Sequence, residues 1–244
     1  MIKYDFVFNH KKASELNIRV TERPSIPAAQ KNIEEINMEN MDGSYYMEDG
    51  TYNDIQITLS CNFRSPEYAW NENVRAIKEW LHGFDYAGNH LVMNDDPDYF
   101  FKVKKVETSD FDRVYKQIGK FTVTFTCEGF QYYTRGTVPI LCDGTLYNDG
   151  AMCKPTYILT DTTGEGKGVV RLFVNGNIFI VDFQSVTMTI DTERMLTYGL
   201  KKRLLNSDVQ GDYESLYLYP GINEVEVKQY VTNEQEYAWE NSLV

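Results

Sequence analysis

The sequence predicts an all-β, mainly antiparallel protein of two domains. Apolar and polar residues alternate through several segments, as in sheets with one face in a core and one in solvent. Turn-forming residues separate these segments, and the 18 tyrosines fit both strands and interfaces. A chain of 244 residues suffices for two domains, and the polar stretch 134–139 offers a boundary. We expect an N-terminal β domain with one α-helix over residues 1–136 and a C-terminal β domain over residues 137–244.

Three segments carry the clearest strand pattern. Apolar residues occupy every second position in 55–63, 121–127 and 186–190, with polar residues between them. This alternation predicts half-buried strands. Cys61 and Cys127 fall on the apolar register, so we expect buried thiols there, and no disulfide is indicated.

One helix is predicted over about residues 66–82. Ser65 is a typical N-cap residue, Pro66 suits the first helical position, and Glu67 is favourable in the first turn. Gly83 is placed to end the helix. The apolar residues that recur on one helical face are Trp70, Val74, Ile77, Trp80 and Leu81. A second, weaker helical pattern covers residues 191–200.

Turn residues mark the ends of several strands. Asn175-Gly176 is the strongest hairpin signal, because both residues accept the positive φ of a tight β-turn and alternating segments flank them. Asp-Gly pairs at 42–43, 49–50 and 143–144 indicate further turns.

Pro220-Gly221 predicts another turn, close to the C-terminus. It lies between the alternating segments 216–218 and 225–227, so we expect a strand, a turn and a second strand. Gly221 is expected to hold a positive φ, and the Asn223 side chain is expected to cap the turn.

Composition argues against nucleic acid and membranes as partners. The formal net charge of −12 repels phosphate backbones and anionic lipid. No run of about 18 apolar residues predicts a transmembrane helix. The first twenty residues lack a signal-peptide pattern, so we expect synthesis in a cytoplasm.

No catalytic, cofactor or metal site is predicted. The acids at 95–98 favour a solvated turn over a cation site, and those at 42–54 do not match a calcium loop. Residues 164–168 lack the phosphate-loop pattern, so a hairpin loop is favoured there. The three histidines and four cysteines have no metal-ligand spacing, and no nucleophile motif occurs. Strand-edge packing or a subunit interface is favoured over sugar stacking for the aromatic residues Tyr45, Tyr46, Tyr132, Tyr133 and Trp239.

Two stretches together resemble the siphophage distal tail protein family. In the first, residues 20–63, the R-P-x-I-P motif is Arg23-Pro24-Ser25-Ile26-Pro27, a strand follows at 33–36, and Asp42-Gly43 forms the turn. The family often has glycine and arginine before this turn, where the chain has Asn40 and Met41. The helix that contains Trp80 also falls where the family has one. The matching residues of the second stretch are Asn148, Gly150, Pro155, Asn175, Gly176, Asp191, Gly211, Pro220, Gly221 and Asn223.

The resemblance implies a structural role in a phage virion. Distal tail proteins form a homo-hexameric ring at the tail tip or baseplate, beneath the last ring of tail tube protein. The N-terminal domain is a β-sandwich with one helix and builds the ring, which also contacts the tail-associated lysin or tail hub protein. The C-terminal domain is a galectin-like sandwich on which receptor-binding proteins dock in some relatives. The resemblance therefore implies assembly in the host cytoplasm, no enzymatic activity and no cofactor.

Two other classes of protein remain open at this point. A carbohydrate-binding β-sandwich that attaches to the host surface would use a concave polar and aromatic face. A β-sandwich glycosidase would need two carboxylates about 5–10 Å apart across a cleft.

Overall fold

Antiparallel sheet makes up most of both halves of the chain, as the sequence predicts. The structure is a computed structural model that describes residues 4–39, 42–85, 88–141, 144–161, 168–183, 185–199, 203–230, 236–237 and 239–243. The chain divides into two compact units, Met1–Arg135 and Gly136–Val244. In the described part of the chain there is one α-helix, and no helix combines the length and apolar character needed to cross a membrane. The all-β fold class is confirmed.

The described residues of the first unit form ten strands and helix α1 (Trp70–His82). Eight strands form one antiparallel sheet in the order β2-β1-β7-β8-β10-β6-β3, with β9 beside β10, and β4 and β5 pair separately. The strands are β1 (Phe6–Phe8), β2 (Lys11–Lys12), β3 (Ile18–Val20), β4 (Lys31–Asn37), β5 (Ser44–Tyr52), β6 (Ile55–Arg64), β7 (His90–Met93), β8 (Asp96–Thr108), β9 (Asp112–Tyr115) and β10 (Ile118–Tyr133).

The eight-stranded sheet curls around its own core. Strands β1 and β10 are separated by β7 and β8, so a flat sheet would hold them about 14 Å apart. The rings of Phe8 on β1 and Phe125 on β10 nevertheless lie 5.0 Å apart between centroids. Trp80 of α1 closes the core, because its ring stacks on Phe6 and its indole N–H donates to the Phe8 carbonyl at 2.8 Å.

Strands β6 and β10 follow the predicted alternation. They pair from Ile55–Cys127 to Arg64–Ile118, and their inward residues belong to the core. Cys61 and Cys127 are both buried and free, as predicted. Burial raises the pKa of each of these two thiols to about 12, so both stay protonated.

Helix α1 begins later than its sequence signals suggest. A 3₁₀ turn occupies Glu67–Ala69, and the prediction of Ser65 as a helix cap is wrong. The Ser65 hydroxyl donates to the Pro66 carbonyl and accepts from Asn73 Nδ2 at 2.6 Å, so it is not available to a helical N–H. Gly83 ends the helix as predicted, and any Cβ there would lie 2.5 Å from the Glu79 carbonyl oxygen.

The second unit is a sandwich of two antiparallel sheets. One has the order β11-β21-β13-β16-β17, and the other has the order β12-β19-β14-β15-β18 with β20 beside β19. Tyr157 and Met188 of the first sheet share one core cluster with Leu172 and Phe179 of the second. The strands are β11 (Ile140–Leu141), β12 (Gly144–Asn148), β13 (Thr156–Asp161), β14 (Gly168–Val174), β15 (Asn177–Phe183), β16 (Thr187–Asp191), β17 (Leu196–Gly199), β18 (Val209–Gln210), β19 (Gly221–Tyr230), β20 (Glu236–Tyr237) and β21 (Trp239–Leu243).

Two predictions for this unit are wrong in detail. The helix predicted over 191–200 is the β16–β17 hairpin, because the Asp191 carboxylate accepts the Arg194 N–H at 3.0 Å and Met195 takes a positive φ of 55°. The strand predicted over 216–218 is replaced by a 3₁₀ turn at Tyr213–Leu216 and a single bridge at Leu218. Leu200 and residues 162–167 lie outside the described residues.

Candidate interaction surfaces

A hairpin in the first unit, β4 and β5, stands apart from both the curled sheet and its core. We call residues 31–52, which comprise the two strands and their turn, the arm. Among the described residues β4 and β5 pair only with each other, and nearly every arm residue is exposed. Gly43 follows Asp42 with a φ of 86°, as the predicted turn requires. The second Asp-Gly pair, Asp49-Gly50, is not a turn between strands, because it forms a bulge inside β5.

The two faces of the arm differ in chemistry. Residues directly opposite one another in an antiparallel pair share a face. One face combines Ile36 with Tyr45 and Glu34 with Met47. The other pairs Glu35 with Tyr46, which is 60% exposed, and carries a Lys31–Glu48 ion pair at 2.7 Å. Both faces therefore present apolar side chains to solvent, where no described residue covers them.

The base of the arm is fastened to β10. The rings of Tyr52 and Phe130 meet edge to face with centroids 5.0 Å apart, and the Asn53 N–H donates to the Gln30 carbonyl at 2.8 Å. Gly129 permits this approach, because a Cβ there would lie 2.8 Å from the Asn53 carbonyl oxygen and 3.0 Å from the Tyr52 Cβ. The arm thus leaves the domain from a fixed position.

The R-P-x-I-P motif lies in the extended segment that leads into the arm. Arg23 forms an ion pair with Asp95 in the turn between β7 and β8, and its guanidinium lies 5.8 Å from the centroid of the Tyr4 ring. Burial, followed by the Asp95 charge, raises the pKa of Tyr4 to about 12. Pro24 and Pro27 lie in the same segment, which has no regular secondary structure. Asp95 is thus held by a cation of the protein, and the described residues contain no metal-ligand cluster.

A groove runs along β3 at one edge of the curled sheet. Its volume is about 910 Å³. Arg19 and Arg64 bring positive charge to the groove, and the exposed side chains of Tyr115 and Ile118 bring apolar surface. Strand β3 pairs with β6 alone among the described strands, so the groove lies next to an open sheet edge.

Several of the sequence-predicted residues meet at one end of the second unit. Asn175 and Gly176 have φ values of 50° and 83° and form the predicted hairpin turn between β14 and β15. Gly221 has the predicted positive φ, 98°. The Asn223 side chain accepts the Tyr219 N–H at 2.9 Å and donates to the Tyr219 carbonyl at 2.7 Å.

The other sequence-predicted residues have local bonding roles. Asn148 pairs with Gly221 across β12 and β19, and its side chain donates to the Ala151 carbonyl at 2.8 Å. The Pro155 carbonyl accepts the Thr192 hydroxyl at 2.7 Å, next to Asp191. Pro220 directly precedes β19.

The outer face of the six-stranded sheet exposes apolar side chains. Tyr147 and Ile222 lie opposite each other on β12 and β19 and are 70% and 73% exposed. Phe173 and Ile178 form a second opposite pair on β14 and β15, and the Lys228 ammonium lies 5.6 Å from the centroid of the Phe173 ring. We call these four apolar residues the outer patch.

Comparison with known proteins points to phage tails. Residues 11–127 match the model of the phage tail protein RIFT-related domain family. No curated protein sequence matches the chain. Among solved structures, the chain is similar to SPP1 Dit (gp 19.1), described as a paradigm of hub adsorption apparatus in Gram-positive infecting phages. The two share 13% identical residues with a TM-score of 0.59, and the match covers 98% of this chain and 97% of the other. At this identity the structural likeness shows a shared fold.

Proposed function

This chain resembles the siphophage distal tail proteins in its family match and in its fold, and from that premise we propose that it is a structural component of a phage tail tip or baseplate. Six copies form a ring through the first domain. The ring joins the tail tube protein to the tail-associated lysin or hub protein. The second domain, a galectin-like sandwich in this proposal, offers a docking surface for a receptor-binding protein.

The arm is the observation that carries the ring proposal. A two-stranded hairpin is at best marginally stable on its own, and its unpaired edges are templates for pairing with another chain. The arm also exposes Tyr45, Tyr46 and Met47. An arm that projects from one side of a domain and binds a different surface of the next copy makes a head-to-tail contact, which closes into a ring when its rotation divides a full turn.

Removal of the arm tests the ring. None of the arm residues that the structure describes belongs to the core of the first unit, so replacing residues 31–52 by two glycines should leave that core folded. We expect the full chain to sediment as a hexamer and to appear as rings by electron microscopy, alone or with tail tube protein. The deletion variant should remain a monomer with an unchanged cooperative unfolding transition. Rings formed without the arm would contradict the proposed role of this hairpin.

A matched surface variant separates the roles of the two domains. Tyr147→Ser with Ile222→Ser removes exposed apolar surface from the outer patch and leaves the arm intact. We expect this variant to form wild-type rings and to lose binding to the receptor-binding protein of the same tail. Unchanged binding would remove the outer patch from the docking surface.

Sugar binding by the second domain is the alternative that one observation favours. Tyr147 presents a largely exposed ring with Thr145 on the same face of β12, and aromatic rings stack on the apolar faces of sugars. Binding of purified host cell-wall polysaccharide that is lost in Tyr147→Ala, while ring formation is retained, would establish this alternative.

A further inference from the structure

We propose that the groove beside β3 receives the arm of the neighbouring copy. This inference rests on the proposed ring and adds to it the two surfaces that meet at each subunit contact. The arm and the groove belong to the same domain of one chain and differ in chemistry, as the two halves of a head-to-tail contact must.

The groove offers two unused cations. Arg19 and Arg64 are both exposed, and neither forms an ion pair with any residue that the structure describes. Planar guanidinium groups bind carboxylates through paired hydrogen bonds, so two free arginines beside apolar surface favour an acidic, partly apolar occupant.

The edge of β3 offers main-chain hydrogen bonds to a strand. The Thr21 N–H donates to the Ser60 carbonyl and the Asn17 carbonyl accepts the Arg64 N–H, so residues 17 and 21 direct these groups toward β6. Hydrogen-bonding direction alternates along an antiparallel strand. The N–H and C=O groups of Ile18 and Val20 therefore point away from β6, toward the open side where a strand from another chain can pair.

The arm has the negative charge and the unpaired strand edges that an occupant of the groove needs. Residues 31–52 contain six acids and one lysine, a net charge of −5. The Glu34 carboxylate has no hydrogen-bond or ion-pair partner among the described residues. Its side chain shares a face of the arm with Ile36, Tyr45 and Met47. An arm whose edge pairs with β3 brings such a carboxylate to the arginines and apolar side chains to Tyr115 and Ile118.

Charge reversal tests the contact on the full-length chain. The groove variant carries Arg19→Glu and Arg64→Glu, and the arm variant carries Glu34→Lys and Glu39→Lys. Each variant alone places like charges in every contact, so we expect at least a tenfold loss of self-association by analytical ultracentrifugation. An equimolar mixture places opposite charges in every contact of an alternating ring of six, so we expect the mixture to restore rings.

Matched variants on α1 control for the change in net charge. Four charged residues of α1 are exposed and lie outside the groove and the arm: Glu72, Arg75, Lys78 and Glu79. Arg75→Glu with Lys78→Glu, and Glu72→Lys with Glu79→Lys, change the net charge by the same −4 and +4 and should form rings as the wild type does. Wild-type rings from the groove variant or the arm variant alone would overturn the proposal, as would a mixture that stays dissociated although both partners unfold like the wild type. A wild-type chain that never forms rings, alone or with tail tube protein, would instead refute the ring itself.

Discussion

The side chain of Asn223 connects two turns that are far apart in the sequence. Its Oδ1 accepts a hydrogen bond from Asn175 Nδ2 at 2.8 Å in addition to its bonds with Tyr219. Asn175 Oδ1 in turn accepts the Glu224 N–H at 2.9 Å. Asn223 is only 1% exposed, so its polar atoms depend on these partners. The cap within its own turn was predictable from local sequence, whereas the partnership with Asn175 depends on the neighbouring strands β14 and β19.

Asn223→Ala should therefore destabilise the second domain by more than the loss of one capping hydrogen bond would. The substitution leaves the Tyr219 N–H and the carbonyl groups of Tyr219 and Gly221 without their hydrogen-bond partner. We therefore expect the free energy of unfolding of the second domain to fall by about 2–3 kcal/mol. Urea unfolding followed by circular dichroism measures this change. Asn177→Ala is the control, because that exposed side chain makes one long hydrogen bond, at 3.4 Å. Equal effects of the two substitutions would contradict the role assigned to Asn223.

Gly221→Val isolates the cost of backbone conformation. A Cβ on Gly221 would find no atom within 4 Å, so the substitution introduces strain without a clash. A β-branched residue resists the positive φ at this position, and we expect a loss of about 1–3 kcal/mol from the second domain. Thermal unfolding should show a lower midpoint for Gly221→Val and little change for Ile222→Val, the exposed neighbour. An unchanged midpoint in the glycine variant would mean that this turn relaxes freely.

At the scale of elements, the alternation of apolar and polar residues correctly predicted the strands that bury a single face. Strands β6 and β10 each place one face in a core, so the residues at every second position are apolar because their side chains are buried. The helix predicted over 191–200 was wrong because the residues that follow Asp191 form a tight turn. The Asp191 carboxylate and the positive φ of Met195 stabilise that turn. The start of α1 was misplaced because Ser65 is bonded to Asn73.

The arm shows a limit of pattern reasoning. A strand at 33–36 and a turn at Asp42-Gly43 were predicted, and both are present. Unlike the strands at 55–63 and 121–127, the arm strands are exposed on both faces. Tyr45 and Tyr46 are exposed, as expected from the sequence, but sequence alternation does not distinguish a strand packed on the core from one in a separate hairpin.

Gly129→Ala should loosen the arm and leave the core intact. The added methyl would lie 2.8–3.0 Å from atoms of Asn53, Ala29 and Tyr52, so the base of the arm must shift. We expect faster hydrogen exchange at the Asn53 N–H and weaker ring formation, with unchanged exchange in β6. Gly50→Ala, at an open position within the arm itself, tests whether strain elsewhere in the hairpin has the same effect. Unaltered exchange at Asn53 would show that the contact with β10 is not needed.

At the scale of the whole molecule, the strongly negative net charge opposes binding of nucleic acid. A ring of six would carry a formal charge of −72, six times the −12 of one chain. Several basic side chains of β8 are already paired within the domain, with Lys104 to Asp54 and Lys105 to Glu107 both at 2.8 Å. Arg113 lies against the Trp70 ring. These cations are thereby less available to phosphates.

We expect the assembled protein not to retain DNA. Duplex DNA at about 50 mM salt should migrate unchanged in a gel-shift assay, because binding requires cations that release counterions from phosphates. A basic DNA-binding protein at equal concentration serves as the positive control. Retention at low salt that disappears at higher salt would indicate a cationic lumen, and Lys102, Lys104, Lys105 and Arg113 would be the first residues to substitute.

The open edges of the arm also have a consequence for the kinetics of assembly. In the proposed ring, every incomplete assembly would leave one arm and one groove unused at its two ends, whereas the final contact would form within a single assembly at high effective concentration. We therefore expect closure to be faster than growth and partial rings to be short-lived. Native mass spectra taken during assembly should show mainly single chains and hexamers, and accumulated dimers to pentamers would contradict this. A growing tail would then encounter either a free subunit or a finished ring.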